Sequence, residues 1–374
     1  MDYWQLSGIF RKNRNFLINL PVNSEVKTTI IIVLSQYRIG FLPDSGFVRF
    51  VVFAFMLFFA LNQQLKGQDP EFSQFYANPL YLNPAFAGTS ALPRVVTNYR
   101  NQWPNQGNTY VTYNLTYDKF VNSIRSGVGF RMMYDRELNG VINSINTSVM
   151  YAYHIKVSDR LFFTMALEAG FNYKQFNTSG LIFPGMIDQG TGTITGTYPL
   201  PFEDGKKIFP DFSFGLAGQK DDVYFGIALH HLTQPDQSVI EGDQVGRLPF
   251  KFTLHVGAKG HEFHHGLISK NFTLSPNLVY RQQGSFKQIN AGIYMLEDWL
   301  TFGVWYRNNL SLRPDAIIAM IGIQKPKFQI GYSFDFSLSN ITAYSYGSHE
   351  ISLVFFFGEY YKRMFNNTML IPQM

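Results

Sequence analysis

The sequence predicts an all-β protein: a transmembrane antiparallel β-barrel of about 14 strands, with long external loops and an extended N-terminal segment on the periplasmic side. Three observations carry this. Aromatic residues make up 17% of the 374 residues, with 37 Phe and 22 Tyr, while charged residues are only 15%, against about 25% in soluble domains. Apolar and polar residues alternate with a period of two along one segment after another. These segments run for roughly nine to fifteen residues, where soluble strands average about five or six and transmembrane strands need about nine to eleven.

The elements follow in chain order. Residues 1–47 read as an upstream extension from a start placed too early, absent from the mature protein. Residues 48–67 read as a secretory signal peptide. Arg49 precedes an unbroken apolar run, Phe50 to Leu61, then polar Asn62-Gln63-Gln64 and a small residue, Gly67, before Gln68. That run falls short of the roughly twenty residues a membrane-spanning helix needs.

Residues 68–93 hold two Asn-Pro pairs, Asn78-Pro79 and Asn83-Pro84. Each proline removes a backbone donor and biases the residue before it away from helix, so the segment must be extended or turned. It precedes the first strand outside the alternating pattern, which places it on the periplasmic side, free to cap or enter the lumen or to lie along the rim.

Residues 94–358 form the barrel. In 109–119, Val111, Tyr113, Leu115 and Tyr117 share one face, and Thr112, Asn114, Thr116 and Asp118 the other. In 327–338, Phe328, Ile330, Tyr332, Phe334 and Phe336 oppose Gln329, Gly331, Ser333, Asp335 and Ser337. Strands are expected near 94–103, 109–120, 125–136, 142–155, 160–174, 208–219, 221–232, 249–260, 268–281, 285–296, 299–308, 315–324, 327–337 and 348–358. An even number leaves both ends of the barrel in the periplasm. The connections agree. The short ones, 156–159, 219–222, 296–298 and 324–326, fall on one side; the long ones, 175–207, 233–248 and 338–347, fall on the other. The exception is 260–268, a longer connection on the short side. Residues 359–374 are a C-terminal tail.

Chemistry is mostly excluded. With no cysteine there is no disulfide, no thiolate nucleophile and no Cys-based zinc or iron–sulfur site. The net charge of +5 does not point to a nucleic acid. Residues 1–67 carry seven of the 31 basic and three of the 26 acidic residues, leaving 24 against 23 for the rest. His261-Glu262-Phe263-His264-His265 matches the zinc-protease pattern H-E-x-x-H, but that pattern needs a helix, and Gly260 and Gly266 bracket it between strands. His230-His231 ends a strand with its two rings expected on opposite faces. His230, Asp236 and Asp243 are the candidate rim groups for hydrolysis, without a nucleophile motif such as G-x-S-x-G in the chain. The run 190–196 lacks the G-K-[ST] and the helix of a phosphate loop. No catalytic residue, metal ligand or cofactor is expected. Lumen-facing Arg131, Glu168, Lys174, Lys251, Lys259 and Asp335 are mixed in sign, which favours pairing across the interior over a conducting ring.

Three blocks then resemble one family. Gln74-Phe-Tyr-Ala-Asn-Pro-Leu-Tyr-Leu-Asn-Pro-Ala-Phe-Ala-Gly88, Tyr99-Arg-Asn-Gln-Trp-Pro104 and Gly347-Ser-His-Glu-Ile-Ser-Leu353 look like the PorP/SprF family of outer-membrane proteins of the type IX secretion system, over roughly residues 68–358. The resemblance implies a non-catalytic barrel in the bacterial outer membrane, embedded in its lipid. Its partners would be periplasmic secretion components and a large secreted adhesin or other cargo, with roles in protein secretion and gliding motility, and the resemblance makes Phe75, Asn78, Pro79, Tyr81, Asn83, Pro84, Phe86 and Gly88 the candidate partner-binding residues. The alternative is an outer-membrane channel or hydrophobic-solute transporter, which requires an open lumen.

Overall fold

Side chains that alternate between lipid and lumen leave each strand one satisfactory register, because a slip of one residue would reverse both faces. The computed structural model describes residues 68–104, 110–178, 181–182, 184–188, 190–194, 205–238, 246–264, 271–310, 313–338 and 346–358. The regions expected as upstream extension (1–47), signal (48–67) and tail (359–374) lie outside these residues.

The strands are β1 (Arg94–Gln102), β2 (Tyr110–Val121), β3 (Ser126–Glu137), β4 (Ile142–Ser158), β5 (Leu161–Phe176), β6 (Gly205–Lys220), β7 (Val223–His230), β8 (Lys251–Ala258), β9 (His261–His264), β10 (Asn271–Gln283), β11 (Phe286–Glu297), β12 (Leu300–Asn309), β13 (Arg313–Lys325), β14 (Phe328–Ser337) and β15 (Ser348–Phe356). All pairings are antiparallel between neighbours, and β1 pairs with β15 from Arg94↔Phe356 to Gln102↔Ser348, which closes the cylinder. Closure removes the free edges that an open sheet would present.

β9 explains the exceptional connection. β8 pairs with β10 as far as Gly257↔Asn277, and β9 resumes on the same strand at His261↔Leu274. The two are one wall position with an interruption, so the barrel has fourteen positions. Pro276, which has no N–H to donate, sits opposite the interruption. What reads in the sequence as a long turn is in part a continuation of the strand. Because His261–His264 is strand, the helix that the H-E-x-x-H pattern requires is not formed there.

Tyr113, Leu115, Val149, Leu167, Phe171, Val304, Ile330 and Tyr332 project outward and are exposed, as an apolar band facing lipid requires. No helix among the described residues is long and apolar enough to cross a membrane; the crossing is made by strands. The inner face is polar and buried: Asn98, Arg100, Asn114, Asp118, Glu168, Asp211, Lys251, Asn277, Arg307 and Glu350 are all at or below 6% exposure. A water-filled channel would leave these side chains wet. Something fills it.

Candidate functional site

The filling is the segment that precedes β1. Of the courses the sequence left open it is turned and enters the lumen; what is corrected is the expectation of an extended segment on the periplasmic side. It folds into a 3-10 turn (Phe75–Ala77), a single helical turn α1 (Pro79–Leu82) and a second 3-10 turn (Pro84–Phe86). The prolines take the first position of the last two, where no N–H is needed, and Asn83 caps the second by accepting from the Ala85 N–H at 2.9 Å. Position in the sequence fixes only the segment's last residue, next to β1. The rest runs back up the inside of the barrel.

Contacts with β1 give the path. Ser73 bonds Arg100 at 2.7 Å, the Ala77 carbonyl accepts from Asn98 at 3.4 Å, and the Phe86 carbonyl accepts from Arg94 at 3.3 Å. As the segment's numbers rise the strand's fall, so the segment runs antiparallel to β1 through the whole height of the wall.

At the long-loop end, Asp69 lies between His231 Nε2 (2.9 Å) and Lys251 Nζ (3.2 Å), and its backbone N–H donates to Gln283 at 3.0 Å. Glu71 pairs with Arg281. His231 also holds Asp211 through Nδ1 at 2.7 Å. Burial works against a charge on this imidazole, but the two carboxylates win and push His231 up to about 9.

Next along the segment, still near the long-loop ends of β1, β12, β14 and β15, it is held by both polar and apolar contacts. Arg100 spans Asp335 (2.9 Å) and Glu350 (3.2 Å), and Arg307 adds a second bond to Asp335 at 2.9 Å. The Ser73 and Gln74 N–H groups donate to Glu350 at 2.7 and 3.2 Å, and Gln74 reaches Ser333 and the Glu350 carbonyl. Phe75 packs on Trp305 with ring centroids 4.8 Å apart, under the Arg281 guanidinium, and Tyr76 meets Tyr224 edge-on at 5.5 Å. Tyr81 lies 4.6 Å beneath the Lys251 ammonium, and Asn78 bonds Asn114 at 3.0 Å.

Towards the short turns the wall becomes small. A Cβ on Gly215 would strike Asn83, Pro84 and Ala85; one on Gly127 would fall on the Ala87 carbonyl. Asn83 donates to the Leu216 and Ile227 carbonyls at 3.1 and 3.3 Å, and Phe86 packs on His255 with centroids 5.0 Å apart. Gly88, at φ +70, donates to Asp118 at 2.8 Å; only a residue without a side chain combines that conformation with backbone-to-backbone contact.

All eight candidate partner-binding residues are buried here. Phe75, Asn78, Asn83 and Phe86 are at most 1% exposed, and Pro79, Tyr81, Pro84 and Gly88 are buried too. They come together as one column against the inner wall, so the faces the sequence offered to a partner are turned to the barrel itself. The sequence reading missed the wall glycines, although the alternation shows the signal: Gly127, Gly129, Gly215 and Gly226 all fall on the lumen-facing set. Four of the six expected lumen charges form ion pairs, Arg131 with Glu168 at 2.6 Å, Lys251 with Asp69, and Asp335 with two arginines, whereas Lys174 bonds Gln237 and Lys259 is exposed.

The rim candidates for hydrolysis do not assemble. His231 leaves the strand at φ +58, which turns its ring inward beside His230 instead of to the opposite face. His230 bonds Ser213 at 3.2 Å, while Asp236 pairs with Lys207 at 2.6 Å; Asp243 lies outside the described residues. Among the described residues no group of three or more potential metal ligands is present. A cavity of about 270 Å³ remains at the long-loop mouth, bounded by Trp103, Tyr110, Glu137, Phe286, Asp315 and the start of the segment. The segment is its floor.

A closed cylinder with an apolar outer belt and a polar interior filled by its own chain defines an outer-membrane β-barrel of the internally plugged kind. The sequence matches the family model for the type IX secretion system membrane protein PorP/SprF over residues 64–355, and the chain belongs to that family. It is accordingly a protein of the bacterial outer membrane. No curated protein matches it. Among solved structures it is similar to a KdgM porin in complex with disordered oligogalacturonate, at 9% identity and a TM-score of 0.33, and to a triple mutant of the Rhodopseudomonas blastica porin, at 6% and 0.30. Each alignment covers 71% of this chain and 99% of the other. Scores so low carry neither pore nor ligand to this chain.

Proposed function

We propose that this barrel is a non-catalytic platform of the type IX secretion system, which anchors or assists secretion or the display of a secreted adhesin, and does not conduct. The observation that carries the proposal is the segment that occupies the lumen from one end to the other. With the interior taken up and the belt facing lipid, the surfaces left for partners are the two rims: short turns towards periplasmic secretion components, long loops towards cargo. Residues 68–93 then serve by bracing the barrel that presents those rims.

Because the chain has no cysteine, single thiols at Asp159 and Asp221 on the short-turn rim give clean cross-linking handles. Asp159→Cys or Asp221→Cys should yield adducts with periplasmic type IX components in living cells. If neither does, while the barrel folds, the platform reading is wrong. The channel reading makes the opposite demand of the same protein: steady conductance in planar bilayers with the segment in place.

A further inference from the structure

We infer that the amino-terminal end of the lumen segment leaves the barrel through the long-loop mouth, so that Gln68 is presented on the cell-exterior face and not in the periplasm. The inference rests on the outer-membrane reading, which sets long loops outside and short turns inside.

The direction of travel is fixed three times over. Along β1, residues 73, 77 and 86 meet 100, 98 and 94 in turn. Along β10, Asp69 meets Gln283 and Glu71 meets Arg281, the two residues nearest its long-loop end on the lumen face. At the other end, Gly88 lies on Gly127, next to the 122–125 turn. Asp69 is fastened to His231 and Lys251, which flank the long connection 231–250, and Gln68 beyond it is exposed and borders the mouth cavity. The wall is closed by fourteen paired positions, and a return to the short-turn side would need a second strand of chain through a lumen already full. The described chain therefore opens at the exterior mouth although its first strand starts at the periplasmic end, and an exterior partner meets Gln68 beside the long loops.

Thiol labelling tests this on the full chain in cells. The variants are a Gly-Ser-Cys-Gly-Ser insertion between Gln68 and Asp69, which keeps the clasp residues, and Thr191→Cys and Asp159→Cys as markers of the long loops and short turns. Pro70→Cys, at the mouth cavity, replaces the insertion if that variant does not fold. With a membrane-impermeant maleimide, the insertion and Thr191→Cys should label on intact cells, at least tenfold above Asp159→Cys, which should label only after the outer membrane is permeabilised. An insertion thiol protected on intact cells while Thr191→Cys labels overturns the threading. Protection of Thr191→Cys with labelling of Asp159→Cys overturns the orientation, and the inference with it.

Discussion

The two ends of the occupied barrel hold the same segment by opposite means. At the long-loop end, the Asp69 and Glu71 carboxylates are clasped by the long side chains of His231, Lys251 and Arg281, with the Asp69 N–H on Gln283 beside them. At the short-turn end, Ala87 and Gly88 lie directly on the backbone of β3, and the Leu80 side chain of α1 rests on Gly129. Charged side chains tolerate a shift of an ångström or two; backbone packed on backbone does not. The lower half of the plug is therefore seated all or none, while its upper end is a fastening that can be loosened by degrees.

Substitutions at the short-turn end test that contrast most severely. Gly127→Val drives a branched side chain into the Ala87 carbonyl, beyond the roughly 1–3 kcal/mol that ordinary overpacking costs. The folded, heat-modifiable band on unheated gels should be lost or greatly reduced. Phe86→Ala, which empties a fully buried site against His255, should lower stability by about 3–5 kcal/mol in denaturant titration. If either variant retains wild-type stability, the short-turn end is not the rigid one.

Arg100→Ala probes the polar cluster just below the mouth, two residues from the long-loop end of β1. It leaves Glu350 without its cation, but Arg307 stays on Asp335 and the Ser73 and Gln74 N–H groups stay on Glu350. The loss should fall near the low end of the range for a broken buried pair, about 3 kcal/mol. Asp69→Asn removes charge from the upper clasp only. A loss of about 1.5 kcal/mol, with brief conductance events and an intact folded band, is the result that would sharpen the comparison; a loss as large as that of Phe86→Ala would break it.

Alkaline pH gives the smallest effect. His231 is raised from an ordinary value of about 6.5 to about 9. Its stabilisation of the folded state is therefore complete below about pH 6.5 and fades as the pH rises through about 9. The mouth thiol of the 68/69 insertion variant should become more mobile by spin-label spectroscopy over that interval, and the change should vanish in His231→Gln.

Much of the wall was legible because lipid and lumen impose opposite demands on successive residues. Tyr113, Leu115 and Tyr117 against Thr112, Asn114 and Thr116 give the faces, and the connection lengths give the ends. All fourteen expected strands are found within a few residues of their expected limits. The site was less legible. A wet lumen and a lumen packed with polypeptide both select Ser, Asn and Gly on the inner face, so Gly127 or Gly215 looks the same in either. The Asn-Pro segment announced turns, yet nothing local says whether the chain that enters β1 came from below or from within. His231 escaped because one left-handed residue ends the alternation on which the facing argument depends. The hydrogen bonds that settle these questions, such as Ser73 to Glu350, join residues more than 250 apart in the chain.

Ser73 and Gln74 bond residues of the first strand and the last two: Arg100 on β1, Ser333 and Asp335 on β14, Glu350 and Ser352 on β15. The seam between β1 and β15 is the only one in the cylinder whose strands lie at opposite ends of the sequence, so joining it carries the largest loop-closure entropy. A peptide already bonded to one side of that seam raises the local concentration of the other, in the manner of a splint across a fracture. Closing the seam thus brings three partners together, first strand, last strand and plug.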